Sequence, residues 1–232
     1  MHLKTRESAT DNVLPGKQST AVKAGAVPID ALLVQTNVSR ADAASLLQAL
    51  RSTLTDVAHN AFAWHGASMQ ASWSPAAKRL YSYVLLARRS VMAAPQVWRM
   101  QELLVMACPA AGDLQVSRLE RVFDIAGASH GHQPAFHYAV EMDPESGWSK
   151  QLFDWYDTEH MPGLARVDGC IRAQRFFNHD HGPFSLACYN LVMQEALGSP
   201  PWLAVRATEW SNRMRPHFTN TIRTMLEVMP GG

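Results

Sequence analysis

The chain lacks most features that direct a protein to a membrane, a nucleic acid or a disulfide scaffold. Among its 232 residues no apolar run approaches the roughly 18 residues of a membrane helix. The formal net charge is only +1, so no strong field favours nucleic acid or an anionic membrane surface as a partner. The three cysteines, Cys108, Cys170 and Cys188, are odd in number and have no CxxC spacing. We therefore expect reduced thiols that pack in the core of a cytoplasmic protein.

Several catalytic motifs are missing as well. The sequence contains no Gly-rich phosphate loop, no GxSxG elbow and no HExxH pair, which argues against nucleotide-dependent transfer, serine hydrolysis and zinc proteolysis. Residues 1–26 have no hydrophobic stretch, so we expect a flexible N-terminal arm and not a signal peptide. The remaining composition, 47% hydrophobic and 18% charged, is that of an ordinary globular protein.

Two H-x-H pairs raise the question of a metal site. They are His130 with His132 and His179 with His181, and His137 lies close to the first pair in sequence. Both pairs fall in predicted loops beside glycine, and no carboxylate follows at a spacing typical of a metal site. We expect solvated polar loops and no bound metal.

Hydrophobic periodicity divides the chain into two halves with the same order of elements. Short apolar runs bounded by turn residues predict strands, and apolar positions at 3.6-residue spacing predict helices. Ser39 is a predicted N-cap, and Pro95 marks either a late helix start or a kink. The first half is predicted as strand Ile29–Val38, helix Ser39–Ala58, strands Phe62–Trp73 and Leu80–Ala87, helix Ser90–Ala107 and strand Gln115–Ile125. The second half is predicted as strand Ala135–Met142, helix Trp148–His160, strands Cys170–Phe177 and Phe184–Val192, helix Pro201–Arg215 and strand Thr221–Val228.

The regular spacing of these elements indicates a duplicated unit. The first strands begin at 29 and 135 and the last strands at 115 and 221, the same offset of 106 residues. We expect an α+β protein of two tandem ferredoxin-like βαββαβ units, residues 27–126 and 134–230, joined by the linker Gly127–Pro134. Each unit gives a four-stranded antiparallel sheet with helices on one face, and two such sheets packed together form an eight-stranded barrel. The alternative is a generic α+β domain whose predicted boundaries look regular by accident.

The densest cluster of reactive side chains follows Phe153, from Trp155 to Pro162. Proline cannot continue a helix and glycine tolerates a left-handed exit, so we expect the helix to end near Pro162 and Gly163. On a 3.6-residue repeat, Phe153, Tyr156, Asp157 and His160 share one face. That face would present two rings, a carboxylate and an imidazole to a ligand.

His160 is the candidate general acid/base, because an imidazole titrates near neutrality. Asp157, one turn earlier, is expected to accept a hydrogen bond from the ring and fix its tautomer, and Tyr156 to donate to a bound carbonyl or oxyanion. The alternative is that His160 only caps the helix, where the macrodipole favours a cation.

Substrate binding is assigned to Trp155, Phe153, Arg172 and Arg175. Aromatic walls suit a planar apolar ligand. The two arginines stand at i and i+3 of a strand and so point to opposite faces, and one of them can face inward to bind an anion. The nearby Asp154 and Glu159 are expected to face solvent and to pair with Lys150 or Arg166.

The segment from Phe153 to Pro162, followed by Val167–Arg175, resembles the EthD-like branch of the dimeric α/β-barrel superfamily. In that branch an acid-aromatic pair precedes Thr-Glu-His-x-Pro, and a strand with a Pro-Gly turn follows. Trp210–Phe218 also resembles the end of the second helix in bacterial members. Asp168-Gly169 departs from the Pro-Gly pattern. The first half shares only the topology. Asp56 and His59 repeat a D-x-x-H spacing without the other residues of the second-half motif. We therefore expect His59 at a surface or helix end, and one site per chain.

The resemblance implies a range of activities, since the superfamily contains cofactor-free monooxygenases, lactone isomerases, polyketide cyclases, dehydratases and haem enzymes. Our leading hypothesis is a cofactor-independent lyase or isomerase that acts by acid/base catalysis on a small, apolar, aromatic or cyclic carbonyl compound. A cofactor-free oxygenase and a noncatalytic ligand-binding protein are the alternatives. Haem ligation by a histidine stays open, although no accompanying motif supports it. Single-unit members of this fold dimerise to close the barrel, and we expect a homodimer here through other surfaces.

Overall fold

The computed structural model describes residues 25–61 and 67–230, except for the side chains of 54–61. The first half contains β1 (Val27–Asn37), α1 (Arg40–Ala61), β2 (Ser68–Ser74), β3 (Arg79–Met92), α2 (Ala94–Ala107) and β4 (Gly112–Ala126). The second half contains β5 (Phe136–Pro144), α3 (Ser149–Trp155), a π-helical turn (Tyr156–His160), α4 (Met161–Ala165), β6 (Cys170–Asn178) and β7 (Ser185–Leu191). It continues with a 3₁₀ turn (Gln194–Gly198), α5 (Pro200–Arg206), α6 (Glu209–Met214), a second 3₁₀ turn (Arg215–His217) and β8 (Phe218–Val228). None of the helices described is long and apolar enough to cross a membrane.

The strands form one closed antiparallel barrel in the order β1-β3-β2-β8-β5-β7-β6-β4. Each half keeps the order fourth, first, third, second strand, so β1 and β5 hold equivalent places. The halves meet at two seams. The β4–β6 seam runs from Leu119 opposite Asn178 to Ala126 opposite Arg172, whereas β2 and β8 pair at only two positions. The predicted α+β fold with two fused ferredoxin-like units is confirmed.

Side chains alternate along each strand, so one set faces the barrel interior and the other set faces the helices that cover each half. In β5, Ala139 packs among interior residues, whereas Tyr138, Val140 and Met142 pack outward against the helices of the second half. The first-half helices cover the other side in the same way. Any pocket beneath the second-half helices is therefore walled by the outward-facing residues of β5, β7 and β8.

The barrel interior holds a polar network within its apolar lining. Glu141 is buried and accepts hydrogen bonds from the hydroxyl of Tyr81 and from Gln35 Nε2, the latter at 3.3 Å. His137 contacts Asn190 Oδ1 at 2.7 Å through Nδ1 and the Tyr83 hydroxyl at 3.1 Å through Nε2. Burial lowers the pKa of His137 to about 4, so this imidazole is neutral in the folded protein.

One buried ion pair ties the hairpin between β6 and β7 to the barrel. Asp180 accepts hydrogen bonds from the Arg118 backbone N–H at 2.7 Å and from Arg118 Nη2 at 2.8 Å, and both side chains have an exposed fraction of 0%. His179 is buried and His181 half-buried in the same hairpin, so the expectation of a solvated loop is wrong for this pair. His130 and His132 in the linker are exposed, as expected.

Several predicted boundaries differ from the structure. Strand β3 continues to Met92, and α2 begins only at Ala94 with Pro95 in its first turn, where the missing N–H leaves no bond unmade. The helix predicted over Pro201–Arg215 is two helices, because Thr208 accepts from the Ser211 N–H and starts a new one.

In α1 the apolar stripe predicted at Ala44, Leu46, Leu47, Leu50, Leu54 and Val57 is partly as expected. Leu46, Leu47 and Leu50 are buried, but Ala44 is exposed and Ala43 is buried in its place. The side chains of Leu54, Val57 and His59 lie outside the described residues, as do residues 1–24 of the predicted arm and the start of the strand predicted from Phe62.

Candidate functional site

The helix that carries the sequence motif does not end at Pro162. It widens into a π-helical turn over Tyr156–His160 and then continues as α4 to Ala165. The N–H of Met161 donates to the carbonyl of Tyr156, five residues earlier. This wider turn accommodates Pro162, which has no N–H to donate and would clash with a carbonyl in a regular helix. The predicted stop near Pro162 and Gly163 is therefore wrong.

The π-helical turn also changes which side chains share a face. Residues four apart stay nearly aligned in a wider turn, whereas residues three apart diverge. Tyr156 and His160 accordingly remain together, with ring centroids 5.6 Å apart in an edge-to-face contact. Asp157, three residues before His160, turns away from it.

Asp157 binds Arg175 and not His160. Its carboxylate accepts from Arg175 Nε at 3.2 Å and from Nη2 at 2.9 Å to each oxygen. The Arg175 guanidinium also lies over the rings of Phe153, at 4.6 Å, and Phe177, at 5.2 Å. The expected Asp157–His160 hydrogen bond is absent from the described contacts, because the π-helical turn rotates the carboxylate toward β6.

A cavity lies beneath α3, α4 and α5, against the outer face of the second-half sheet. Its volume is about 410 Å³ when the mouth open to solvent is counted. The walls are largely aromatic, and the six rings are Tyr138, Trp155, Tyr156, Tyr189, Trp202 and Phe218. Gly163 lets α4 approach α5 closely, since a Cβ at that position would meet Val205 Cγ1 at 2.9 Å. A side chain at position 163 would therefore push the two helices above the pocket apart.

His160 lines this cavity and is nearly buried. Its ring stacks on Trp155, with centroids 4.2 Å apart, and its Nδ1 has no hydrogen-bond partner among the described residues. Burial lowers its pKa to about 3, and the positive charges of Arg206 and Arg215 add to this effect. The imidazole is therefore neutral at neutral pH, and the capping role that needs a cation does not apply.

Tyr156 also lines the cavity, and burial raises its pKa well above the ordinary value, so the hydroxyl stays protonated. A protonated phenol can donate to a carbonyl or enolate oxygen. The structure thus brings together Tyr156 and His160 of the three predicted catalytic residues and leaves out Asp157.

Of the four residues predicted to bind substrate, only Trp155 lines the cavity. Phe153 and Arg175 pack against each other beside it. Arg172 lies on the opposite face of β6, where it binds Asp124 with Nε at 2.7 Å. The two arginines lie on opposite faces of β6, and Arg175, which faces the helices, is held by Asp157. Asp154 pairs with Lys150 at 2.5 Å as expected, whereas Glu159 accepts from the Thr208 hydroxyl at 2.7 Å and not from Arg166.

Four buried polar atoms of the cavity wall have no hydrogen-bond partner among the described residues. They are His160 Nδ1, Trp155 Nε1, Trp202 Nε1 and the Tyr189 hydroxyl. Buried polar groups are nearly always satisfied by protein, water or ligand. Ser72, Ser82 and Ser185 carry such atoms elsewhere in the barrel, and a ligand or ordered water in the cavity would complete the hydrogen bonding of these four.

Sequence reasoning missed three arginines at the mouth. Arg206 ends α5, Arg215 follows α6 and Arg223 lies in β8, and all three line the cavity. A signal was present, because residues 200–226 contain four arginines and only one acidic residue. Their convergence depends on the break between α5 and α6, which the periodicity did not reveal.

The described cavity residues offer no ligand cluster for a metal ion and no oriented histidine for haem. The described part of the chain contains no group of three or more His, Cys, Asp or Glu side chains that could hold a metal ion. A histidine that ligates haem iron is normally oriented by a hydrogen bond from its second ring nitrogen. Neither nitrogen of His160 has such a partner among the described residues, and Trp155 covers one ring face.

Comparison with known proteins supports the fold. A scan against protein-family models found no match, and a search of curated proteins found none. Among solved structures, a candidate monooxygenase of Lactobacillus acidophilus is similar with a TM-score of 0.56 and 12% identity, covering 87% of this chain and 93% of that one. An anthrone oxidase-like protein has a TM-score of 0.54 and 11% identity over 86% of this chain and 90% of that one. A candidate chlorite dismutase has a TM-score of 0.54 and 13% identity over 89% and 97%. The chain therefore has the fold of the dimeric α/β-barrel proteins, with both units in one polypeptide.

Proposed function

We propose that the protein is a cofactor-independent lyase or isomerase that moves a proton on a small planar carbonyl compound. The observation that carries this proposal is the set of four unpartnered polar atoms around one aromatic cavity, with a neutral imidazole among them. Flat aromatic walls suit a flat, largely apolar ligand, and the few polar atoms fix its orientation. The EthD-like branch suggested by the sequence motif belongs to the same proposal.

In this proposal His160 is the base and Tyr156 the hydrogen-bond donor. His160 removes a proton from the carbon next to the carbonyl, and the electron pair of the broken C–H bond forms an enolate. Tyr156 donates to the enolate oxygen and stabilises the charge that develops there. The imidazolium then returns the proton to another carbon, which gives isomerisation, or protonates a departing group, which gives elimination. Asp157 has no part in these steps.

A cofactor-free oxygenase is the second candidate. It would use the same enolate, which would react with dioxygen in place of a proton. The names of the structural neighbours, a candidate monooxygenase and an anthrone oxidase-like protein, favour it by analogy at the level of the fold. Oxygen consumption distinguishes the two, because a lyase or isomerase consumes none.

The test measures hydrogen–deuterium exchange at the carbon next to the carbonyl of 1-tetralone and anthrone in D₂O, with an oxygen electrode run in parallel. We expect His160→Ala to slow exchange by about 10²–10⁴-fold and Tyr156→Phe by a smaller factor. His130→Ala, at an exposed linker histidine, is the matched control and should leave the rate unchanged. Unchanged exchange in His160→Ala would overturn the catalytic role. Binding of the ketones without exchange or oxygen uptake, also when formate is added to occupy the arginines of the mouth, would instead indicate a noncatalytic ligand-binding protein.

We also propose a cytoplasmic homodimer. The three cysteines are free and buried, which is consistent with a reducing compartment. Because the chain closes its own barrel, a dimer must use another surface. Helix α2 exposes Trp98, Val105 and Met106, with exposed fractions of 43%, 48% and 65%. Light scattering should then give a mass of twice the 25.7 kDa of one chain.

A further inference from the structure

The mouth of the candidate pocket carries three positive charges that have no acidic partner among the described residues. Arg206, Arg215 and Arg223 come from α5, the turn after α6 and β8, yet all three line the same opening. They are close enough to repel one another, since Arg206 and Arg223 add to burial in lowering the pKa of Arg215. Arg206 is half-buried, and the other two are exposed at the rim.

Seven other arginines of the described chain are paired with carboxylates. These pairs are Arg40–Glu227, Arg89–Asp30, Arg99–Glu102, Arg118–Asp180, Arg121–Asp124, Arg172–Asp124 and Arg175–Asp157. Arg79, Arg88, Arg166 and Arg213 have no carboxylate partner among the described residues either, but only Arg206, Arg215 and Arg223 line one common opening. An anion that enters from solvent would relieve the repulsion, and guanidinium groups bind carboxylates with two parallel hydrogen bonds.

The residues deeper in the cavity indicate the chemistry of the part of the ligand that lies beyond its anionic group. Beyond the arginines the walls are aromatic, and the unpartnered atoms of His160 and Tyr189 lie on them. Building on the proposed function, we infer that the substrate is a planar aromatic or cyclic carboxylic acid whose rings enter the aromatic cavity and whose carboxylate is bound by Arg206, Arg215 and Arg223.

This binding mode has a consequence for His160. Arg206 and Arg215 disfavour the imidazolium, so the base is weak while the pocket is empty. A bound carboxylate offsets those charges and makes proton transfer to His160 easier. The substrate thereby activates the base at the moment when it is needed.

The test compares two ligands of nearly equal shape, 2-naphthoate and its neutral amide 2-naphthamide, by titration calorimetry and by quenching of tryptophan fluorescence. At low salt we expect the wild-type protein to bind naphthoate at least about 10-fold more tightly than naphthamide. Raising the salt concentration should weaken binding of naphthoate only. Arg206→Gln and Arg223→Gln should each remove most of the preference for naphthoate, with little change for naphthamide.

Arg213→Gln is the matched control, because Arg213 is an exposed arginine of α6 that does not line the cavity. It should leave both affinities within about 2-fold of the wild type, as surface charges away from a site usually do. Equal binding of the two ligands by the wild type, or an equal effect of Arg213→Gln, would overturn the carboxylate inference and leave the aromatic pocket standing. Failure of both ligands to bind would overturn the inference together with the proposed function.

Discussion

The ion pair between Asp157 and Arg175 gives the sharpest test of how the structure departs from the sequence motif. The motif suggested that Asp157 orients His160, whereas the structure places it on Arg175. The two roles predict opposite results for Asp157→Asn. A structural ion pair should affect stability and spare the rate, whereas an orienting partner should affect the rate and spare stability.

The size of the stability effect follows from burial. The Arg175 side chain has an exposed fraction of 1% and the Asp157 side chain 37%. Removing one partner of a fully buried pair costs about 3–5 kcal/mol. Solvent screens a carboxylate that is more than one-third exposed, so we expect about 1–3 kcal/mol here. For a chain of this length each kcal/mol lowers Tm by about 2–4 °C, which gives a fall of about 2–12 °C.

Thermal unfolding followed by circular dichroism measures this shift, and the exchange assay measures the rate on the same samples. Asp154→Asn is the matched control, because that carboxylate is one turn earlier and pairs with Lys150 at the surface. It should change stability by less than about 0.5 kcal/mol. Combining Asp157→Asn with Arg175→Met should destabilise less than the sum of the two single changes, since methionine fills the space between Phe153 and Phe177 without a charge. An unchanged Tm in Asp157→Asn, together with a rate as low as that of His160→Ala, would refute the structural reasoning.

Two further predictions concern pH and the buried hairpin. Between pH values of about 3 and about 6.5 the unfolded chain binds a proton at His160 that the folded chain does not, so stability should fall as the pH falls. From pH 7 to 5 His160 contributes about 2 kcal/mol to this loss in urea unfolding, and His137, whose pKa is also lowered by burial, adds a similar amount. His160→Gln should remove only the share of His160, while His130→Gln should remove none; an unchanged loss in His160→Gln would show that the imidazole is not neutral in the fold. Asp180→Asn removes the negative charge that faces the fully buried Arg118 and should cost about 3–5 kcal/mol, or a fall in Tm of about 6–20 °C. A fall in Tm of only a degree or two would show that Asp180 contributes little to holding the hairpin.

The order of elements could be predicted from the sequence, because it depends on local physics. Alternating apolar residues at β5 and β8 and a helical repeat around Leu46 and Leu50 each identify an element from its own neighbours. The common offset between the halves then predicts the duplication, and a βαββαβ unit has few ways to cover its open face. His160 and Tyr156 could also be chosen as site residues, because both belong to one short segment.

The tertiary structure decided the contacts between residues that are distant in sequence. A π-helical turn keeps the helix continuous through Pro162 and rotates Asp157 toward Arg175, a partner on a different element. A break after Arg206 folds α6 back, so that Arg206, Arg215 and Arg223 meet at one opening. Single-residue periodicity gives the direction of a side chain only while the helix stays regular, and it carries no information on which side chains from separate elements converge. The sequence by itself therefore determined the barrel and the choice of His160 as candidate base, whereas the neutrality of its imidazole, the charged mouth and the loss of the aspartate from the candidate site are products of packing.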